Sequence, residues 1–211
     1  MTVHTLDVGL RGTRDYIQGS QILARTGELV AAESVEPVTL LTAKFTRITE
    51  QGVRVALDED DAAEGVELGR AQYTRGGERR TVRFFEVPGP AAHRIDDVPK
   101  VTSELIADAG GAASCAFAIA GSFESYLVAV IEFVKAAHAA RGEDVVDIWF
   151  TALMGAQLPL AATYPTAGTL RLTPKIERVV DGRLQTLGVL DTEGVGAPPS
   201  FQICFSCVVR T

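Results

Sequence analysis

Residues 123–141, FESYLVAVIEFVKAAHAAR, decide how the rest of the chain is read. Apolar side chains occupy nearly every face of this stretch, and only Glu124, Glu132, Lys135, His138 and Arg141 are charged or titratable. Gly121-Ser122 opens it and Gly142 closes it. A helix that is apolar all round is a buried helix, not an amphipathic surface one. Its length approaches that of a membrane span, but Glu132 and Lys135 near its centre would each cost roughly 3 kcal/mol in lipid. The stretch therefore reads as the central helix of a water-soluble protein, wrapped by a sheet.

The flanks are rich in strand signals. Residues 114–120 precede the helix, and residues 145–153, 169–180, 184–190 and 201–209 follow it, with Asp181-Gly182 as a hairpin turn. The N-terminal half repeats this order. Residues 3–10 form a strand. A helix follows over 14–32, with Thr13 as its cap and Asp15 in its first turn. Residues 38–48 and 53–57 are expected to pair as a hairpin through Glu50-Gln51-Gly52, and 66–74 and 79–87 as a second one around Arg75-Gly76-Gly77-Glu78. Pro88-Gly89-Pro90 breaks the pattern, and a connector with a short helix near 103–109 leads to the second half. The expected domains are 1–90 and 113–211, joined by 91–112, in an α+β chain. Gly12-Thr13-Arg14-Asp15 parallels Gly121-Ser122-Phe123-Glu124. Thr42-x-Lys44-x-x-Arg47 parallels Thr173-x-Lys175-x-x-Arg178, at a spacing that allows the two to lie on non-equivalent strands.

A net charge of −7 argues against a nucleic-acid backbone or an anionic membrane as partner, since both require clustered Lys and Arg. The start MTVHTLDVG lacks the basic and apolar regions of a signal peptide, so a cytoplasmic location is expected. Three cysteines do not make a disulfide framework in a chain of this size. Cys204 and Cys207 form a C-x-x-C, but strand alternation points their thiols to opposite faces, which favours packing over metal or redox chemistry.

One strand, a long buried helix and then an antiparallel sheet resembles the hotdog superfamily. Two consecutive copies resemble a double hotdog, in which one chain imitates the usual two-fold dimer. The resemblance implies an acyl group carried as a thioester on coenzyme A or acyl carrier protein, with its carbonyl at the N-terminus of a central helix. The unpaired N–H groups of a helix start can polarise such an oxygen. It implies an enzyme of the dehydratase, isomerase or thioesterase kind, a lyase or a thioester hydrolase, with edge-to-edge pairing into a homodimer; the sequence has no phosphate-binding glycine loop and no cluster with metal-ligand spacing, so no cofactor or metal is expected. The family's D-x-N-P-x-H, H-F-P-x-x-P and D-x-x-G-H-V-N motifs are absent. That absence keeps open a non-catalytic hotdog that binds a hydrophobic small molecule or serves in an assembly.

Candidate residues follow from that placement. Asp15 as base or nucleophile and Tyr16 as hydrogen-bond donor stand at the expected start of the first helix, with Gly12, Thr13 and Gly19 as substrate-binding positions where backbone can approach closely. The plain alternative for Asp15 is a first-turn partner of the helix dipole. His93, close in sequence to Asp96 and Asp97, has the reference pKa for proton transfer near neutrality; its plain alternative is a solvated loop. The first helix carries Arg14, Asp15, Gln18, Ser20, Gln21 and Arg25, whereas the second is nearly all hydrocarbon. This asymmetry places function with the more polar helix.

Overall fold

The computed structural model describes residues 3–11, 16–33, 35–57, 64–91, 93–95, 105–107, 111–142 and 145–209. In chain order the elements are β1 (Val3–Leu6), β2 (Leu10–Arg11), α1 (Gly19–Ala32), β3 (Val38–Phe45), β4 (Gln51–Ala56), β5 (Glu67–Arg75), β6 (Glu78–Ala91) and β7 (Arg94–Ile95). They continue with β8 (Ile106–Ala107), β9 (Ala113–Ala118), α2 (Phe123–Ala139), β10 (Val145–Met154), β11 (Leu158–Pro159), β12 (Ala167–Val180), β13 (Arg183–Glu193) and β14 (Phe201–Val209). Among the described residues, no helix is long and apolar enough to cross a membrane.

The chain divides into two units, the first comprising Met1–Pro99 with Leu158–Ala162, and the second the remainder. In the first, an antiparallel sheet runs β1-β4-β6-β5-β3. The predicted hairpin between β3 and β4 does not form, because each pairs with other strands. The β5–β6 hairpin forms as expected around Gly76 and Gly77, which hold φ of +58° and +83°. Strand β6 also runs on through Pro88-Gly89-Pro90, where a break was expected. The register against β4 jumps between Gly52↔Val87 and Gln51↔Ala91, and this irregularity absorbs the prolines, which cannot donate to a regular ladder.

Helix α1 buries Ile22, Leu23 and Val30, and the fully buried Tyr73 of β5 donates its hydroxyl to the Leu23 carbonyl at 3.2 Å. Phe45 and Phe84 stack across the same core with centroids 5.5 Å apart. Gly27 makes room in α1 for the Leu160 side chain, which follows β11 where that short strand pairs with β3.

The second unit's sheet runs β8-β9-β12-β13-β14-β10. The predicted helix near 103–109 gives way at Ile106–Ala107 to strand β8, paired with β9; its other positions, apart from Leu105, lie outside the described residues. The β12–β13 hairpin turns at Asp181 and Gly182, both at positive φ. Helix α2 is buried as expected: Tyr126, Leu127, Val130, Phe133 and Val134 are at most 1% exposed. Each such apolar side chain contributes roughly 1.5–3 kcal/mol on burial. Along β14, Phe201, Ile203, Phe205 and Cys207 are buried and Cys204 is half-buried, the alternation expected of a strand. Burial pushes the Cys207 thiol up to about 11, which makes it a poor nucleophile.

The units share an element order but not a strand order. Beside β1 the first sheet places β4, β6, β5 and β3 in turn; beside β9 the second places β12, β13, β14 and β10. The tight hairpin joins the third and fourth strands in one unit and the second and third in the other. Thr42 and Thr173 accordingly fall on non-equivalent strands, β3 and β12.

His138 lies in the last turn of α2, where a cation would suit the helix dipole; the structure buries it to 2% exposure instead. A carbonyl only accepts, so Nδ1 carries the proton and donates to Val134 O at 2.7 Å, leaving Nε2 to accept from the Thr186 hydroxyl at 2.7 Å. The ring stacks on Phe205. Burial, helped by nearby Arg141, holds its pKa below the ordinary 6.5, against the opposing pull of the Val134 hydrogen bond and Glu177.

Two predictions follow from this packing. A Cβ at Gly69 would run into the Lys44 carbonyl oxygen, whereas one at Gly77 meets open space. Gly77→Ala should cost about 1–2 kcal/mol for its left-handed backbone alone, and Gly69→Ala about 3 kcal/mol for forced overpacking, as read from urea unfolding. For His138, the unfolded chain binds the proton first as pH falls. The stability contributed by the neutral ring is complete above pH 6.5 and is lost as pH drops below that value. His138→Gln should therefore flatten the fall in melting temperature between about pH 7 and about pH 5 relative to wild type.

Candidate functional site

Helix α1 begins at Gly19, five residues later than the sequence suggests, because Tyr16–Gln18 are not helical. Thr13 is therefore not its cap. Gln18 holds that position in extended conformation, φ −77° and ψ 136°, and makes no side-chain cap bond. No acidic residue lies in the first turn. The orphan N–H groups of a helix start are normally met by a cap side chain or a carboxylate, and this start has neither within the helix.

Three segments are tied to it instead. The Gln21 amide donates to Gly9 O at 3.1 Å and accepts from Gly9 N–H at 3.2 Å, so one side chain satisfies both backbone groups of a buried glycine. Ile17 N–H donates to Thr49 O at 2.8 Å. The Thr49 hydroxyl donates to Glu86 Oε2 at 2.5 Å and accepts from Gln51 N–H at 3.0 Å. Leu10 N–H donates to His93 O at 2.9 Å, and β2 pairs in parallel with β7, so the start of the connector folds back along the strand that leads towards α1.

Around this frame Gln18, Ser20, Gln21, Thr49 and Arg11 are all buried polar residues. Gly19 and Tyr16 are half-exposed, so the helix start reaches solvent at those two positions. Among the described residues the Ser20 hydroxyl has no hydrogen-bond partner, although the residue is 0% exposed. A buried polar group left in that state costs about 1–3 kcal/mol.

The start of α2 is closed by comparison. Ser122 Oγ accepts from Ser125 N–H at 3.1 Å and Ser125 Oγ from Ser122 N–H at 3.0 Å, a reciprocal capping box, and Glu124 sits in the first turn. Tyr164 N–H donates to Gly121 O, its ring stacks on Tyr126 at 4.7 Å, and the Tyr126 hydroxyl pairs with Thr192.

Of the residues singled out by sequence, Gly12, Thr13 and Asp15 lie outside the described residues, as do Asp96 and Asp97. Tyr16 stands just ahead of α1, and Gly19 is its first residue. The His93 side chain is 59% exposed, with Nε2 4.0 Å from the carboxylate of Asp7, itself 92% exposed; this is a solvated pair rather than an oriented dyad. His138 is committed to Val134 and Thr186. The polar run Gln18 to Gln21 was visible in the sequence as an asymmetry between the helices. Thr49 and Glu86 carried no sequence signal, since tertiary pairing alone brings them to Ile17.

No protein-family model and no curated protein matches the chain in sequence. Solved structures do match it. The dehydratase domain of the polyketide PpsC from Mycobacterium tuberculosis superposes with a TM-score of 0.55 at 10% identity, over 99% of this chain and 92% of that one. A bifunctional dehydratase-cyclase domain in ambruticin biosynthesis gives 0.53 at 12% identity, over 93% of this chain and 83% of that one. The tesB protein of Mycobacterium avium subs paratuberculosis gives 0.51 at 13% identity, over 99% and 92%. At such identities a likeness speaks for the fold alone, and what it says is that the chain is a hotdog-fold protein.

Proposed function

We propose that this chain is an acyl-thioester enzyme of the dehydratase, isomerase or thioesterase kind. Its two units are two hotdog-like repeats, and the start of α1 receives the thioester carbonyl. The observation that carries this reading is the contrast between the helix starts. The α2 start is closed by the Ser122–Ser125 capping box, whereas α1 begins at half-exposed Gly19 without a side-chain cap. Backbone N–H groups held ready at a helix start stabilise charge developing on a carbonyl oxygen, and removing one such donor typically costs about a hundredfold in rate. The bonds from Gln21 to Gly9 and from Ile17 to Thr49 hold the α1 start in place, the kind of support that preorganised donors need. Asp15 remains the proposed base by its place in the sequence, and a coenzyme A or acyl-carrier thioester the proposed substrate of a cytoplasmic homodimer.

A second reading has its own support. His93 is solvent-facing, and both ring nitrogens of His138 are engaged in the fold. This favours a hotdog that binds an acyl or other hydrophobic ligand without turning it over.

Gly19→Pro tests the first reading. Proline is tolerated at the first helical position, the extended Gln18 suits a following proline, and the substitution removes one N–H. Turnover across an acyl-CoA panel should fall about a hundredfold with the fold retained by circular dichroism. Asp15→Asn should abolish turnover with little change in melting temperature. Wild-type protein that turns over no thioester, yet carries a co-purified acyl ligand in native mass spectrometry, would replace the first reading with the second.

A further inference from the structure

The fold makes no use of the Ser20 hydroxyl. Its neighbours on the same turn are all employed: Gln21 holds Gly9, and the Gln18 carbonyl accepts from Gln21 and Ile22 N–H. Ser20 is wholly buried and its Oγ has no partner among the described residues. Alanine would suit the helix better and leave nothing unsatisfied. A buried hydroxyl kept at such a disadvantage calls for a partner that arrives from outside the fold. Side chains of a helix tilt towards its N-terminus, so this hydroxyl is carried to the end where the first N–H groups lie. Gly19 beside it is half-exposed, so the helix start reaches solvent one residue away.

We propose that Ser20 Oγ–H donates to the acyl carbonyl oxygen of the bound thioester, beside the N–H groups at the start of α1. The hydroxyl and amide donors together then form one oxyanion-binding group, and substrate binding supplies the acceptor that the free protein lacks. The proposal rests on the acyl-thioester reading. Thr26 is the natural control. It is the other hydroxyl of α1 that is buried without a partner, but it lies six residues on, away from the helix start.

The test uses the full chain and two unreactive coenzyme A derivatives of the same acyl length. One is a ketone analogue that keeps the carbonyl and replaces sulfur by methylene; the other is a thioether that lacks the carbonyl. Both are titrated calorimetrically into wild type, Ser20→Ala and Thr26→Ala. Ser20→Ala should bind the ketone at least tenfold more weakly, bind the thioether as wild type does, and melt at or above the wild-type temperature. Thr26→Ala should leave both affinities unchanged. Equal ketone affinity in Ser20→Ala and wild type overturns the role of Ser20 while leaving the thioester reading intact. So does a parallel loss of both affinities with a lowered melting temperature. Wild type that binds neither analogue, at short or long acyl length, removes the thioester reading and this proposal with it.

Discussion

A helix without a polar face must be covered, and the need to cover α2 organises the second unit. Phe123, Tyr126, Leu127, Val130, Phe133 and Val134 are all buried, so water is excluded from most of the circumference. Any strand laid against such a helix must turn its apolar side inward at every second residue, as β14 does from Phe201 to Cys207. Polar groups inside this cover survive only when paired, as His138 is with Val134 and Thr186, and Tyr126 with Thr192.

The first unit meets the same demand with a more polar helix. Helix α1 buries Ser20, Gln21 and Thr26 alongside its apolar residues, and Gln18 is buried at its cap. Most of the polar bonding around its start goes to backbone: Gln21 to Gly9, Thr49 to Ile17 and Gln51, Leu10 to His93. Backbone partners hold a chain segment in place without projecting a side chain into the space it borders. Among the described residues the start of α1 is held by such bonds, whereas the start of α2 is met by a capping box.

The sequence made the fold class legible through periodicity and turn chemistry. The apolar run at 123–141, the glycines at 76, 77 and 182, and the alternation of 201–207 each depend on neighbours in the chain, and each appears in the structure much as it reads. Partner choice was less legible. β3 and β4 look like a hairpin because Glu50-Gln51-Gly52 separates them, yet they lie apart in the sheet, since a turn signal says where a chain bends and not what it pairs with. Pro88 and Pro90 read as a break because a regular ladder excludes proline, but a register irregularity accommodates both. At the site, Gly19 and the polarity of Gln18, Ser20 and Gln21 were visible. The helix start was misplaced onto Thr13 because a hydroxyl followed by an acid imitates a cap. Thr49 and Glu86, far from Ile17 in sequence, reach it only through the sheet.

The Leu160 side chain seated against Gly27 has a consequence for the order of assembly. Leu158–Ala162 belongs to the first unit, although it is made after α2 and β10. A nascent chain that ends near residue 99 therefore has α1 and its five-stranded sheet but not the strand that pairs with Leu40, nor the side chain that fills the notch at Gly27. The first unit can begin to fold on the ribosome and finish only when the later segment has emerged. Contacts so distant in sequence slow the final step of folding.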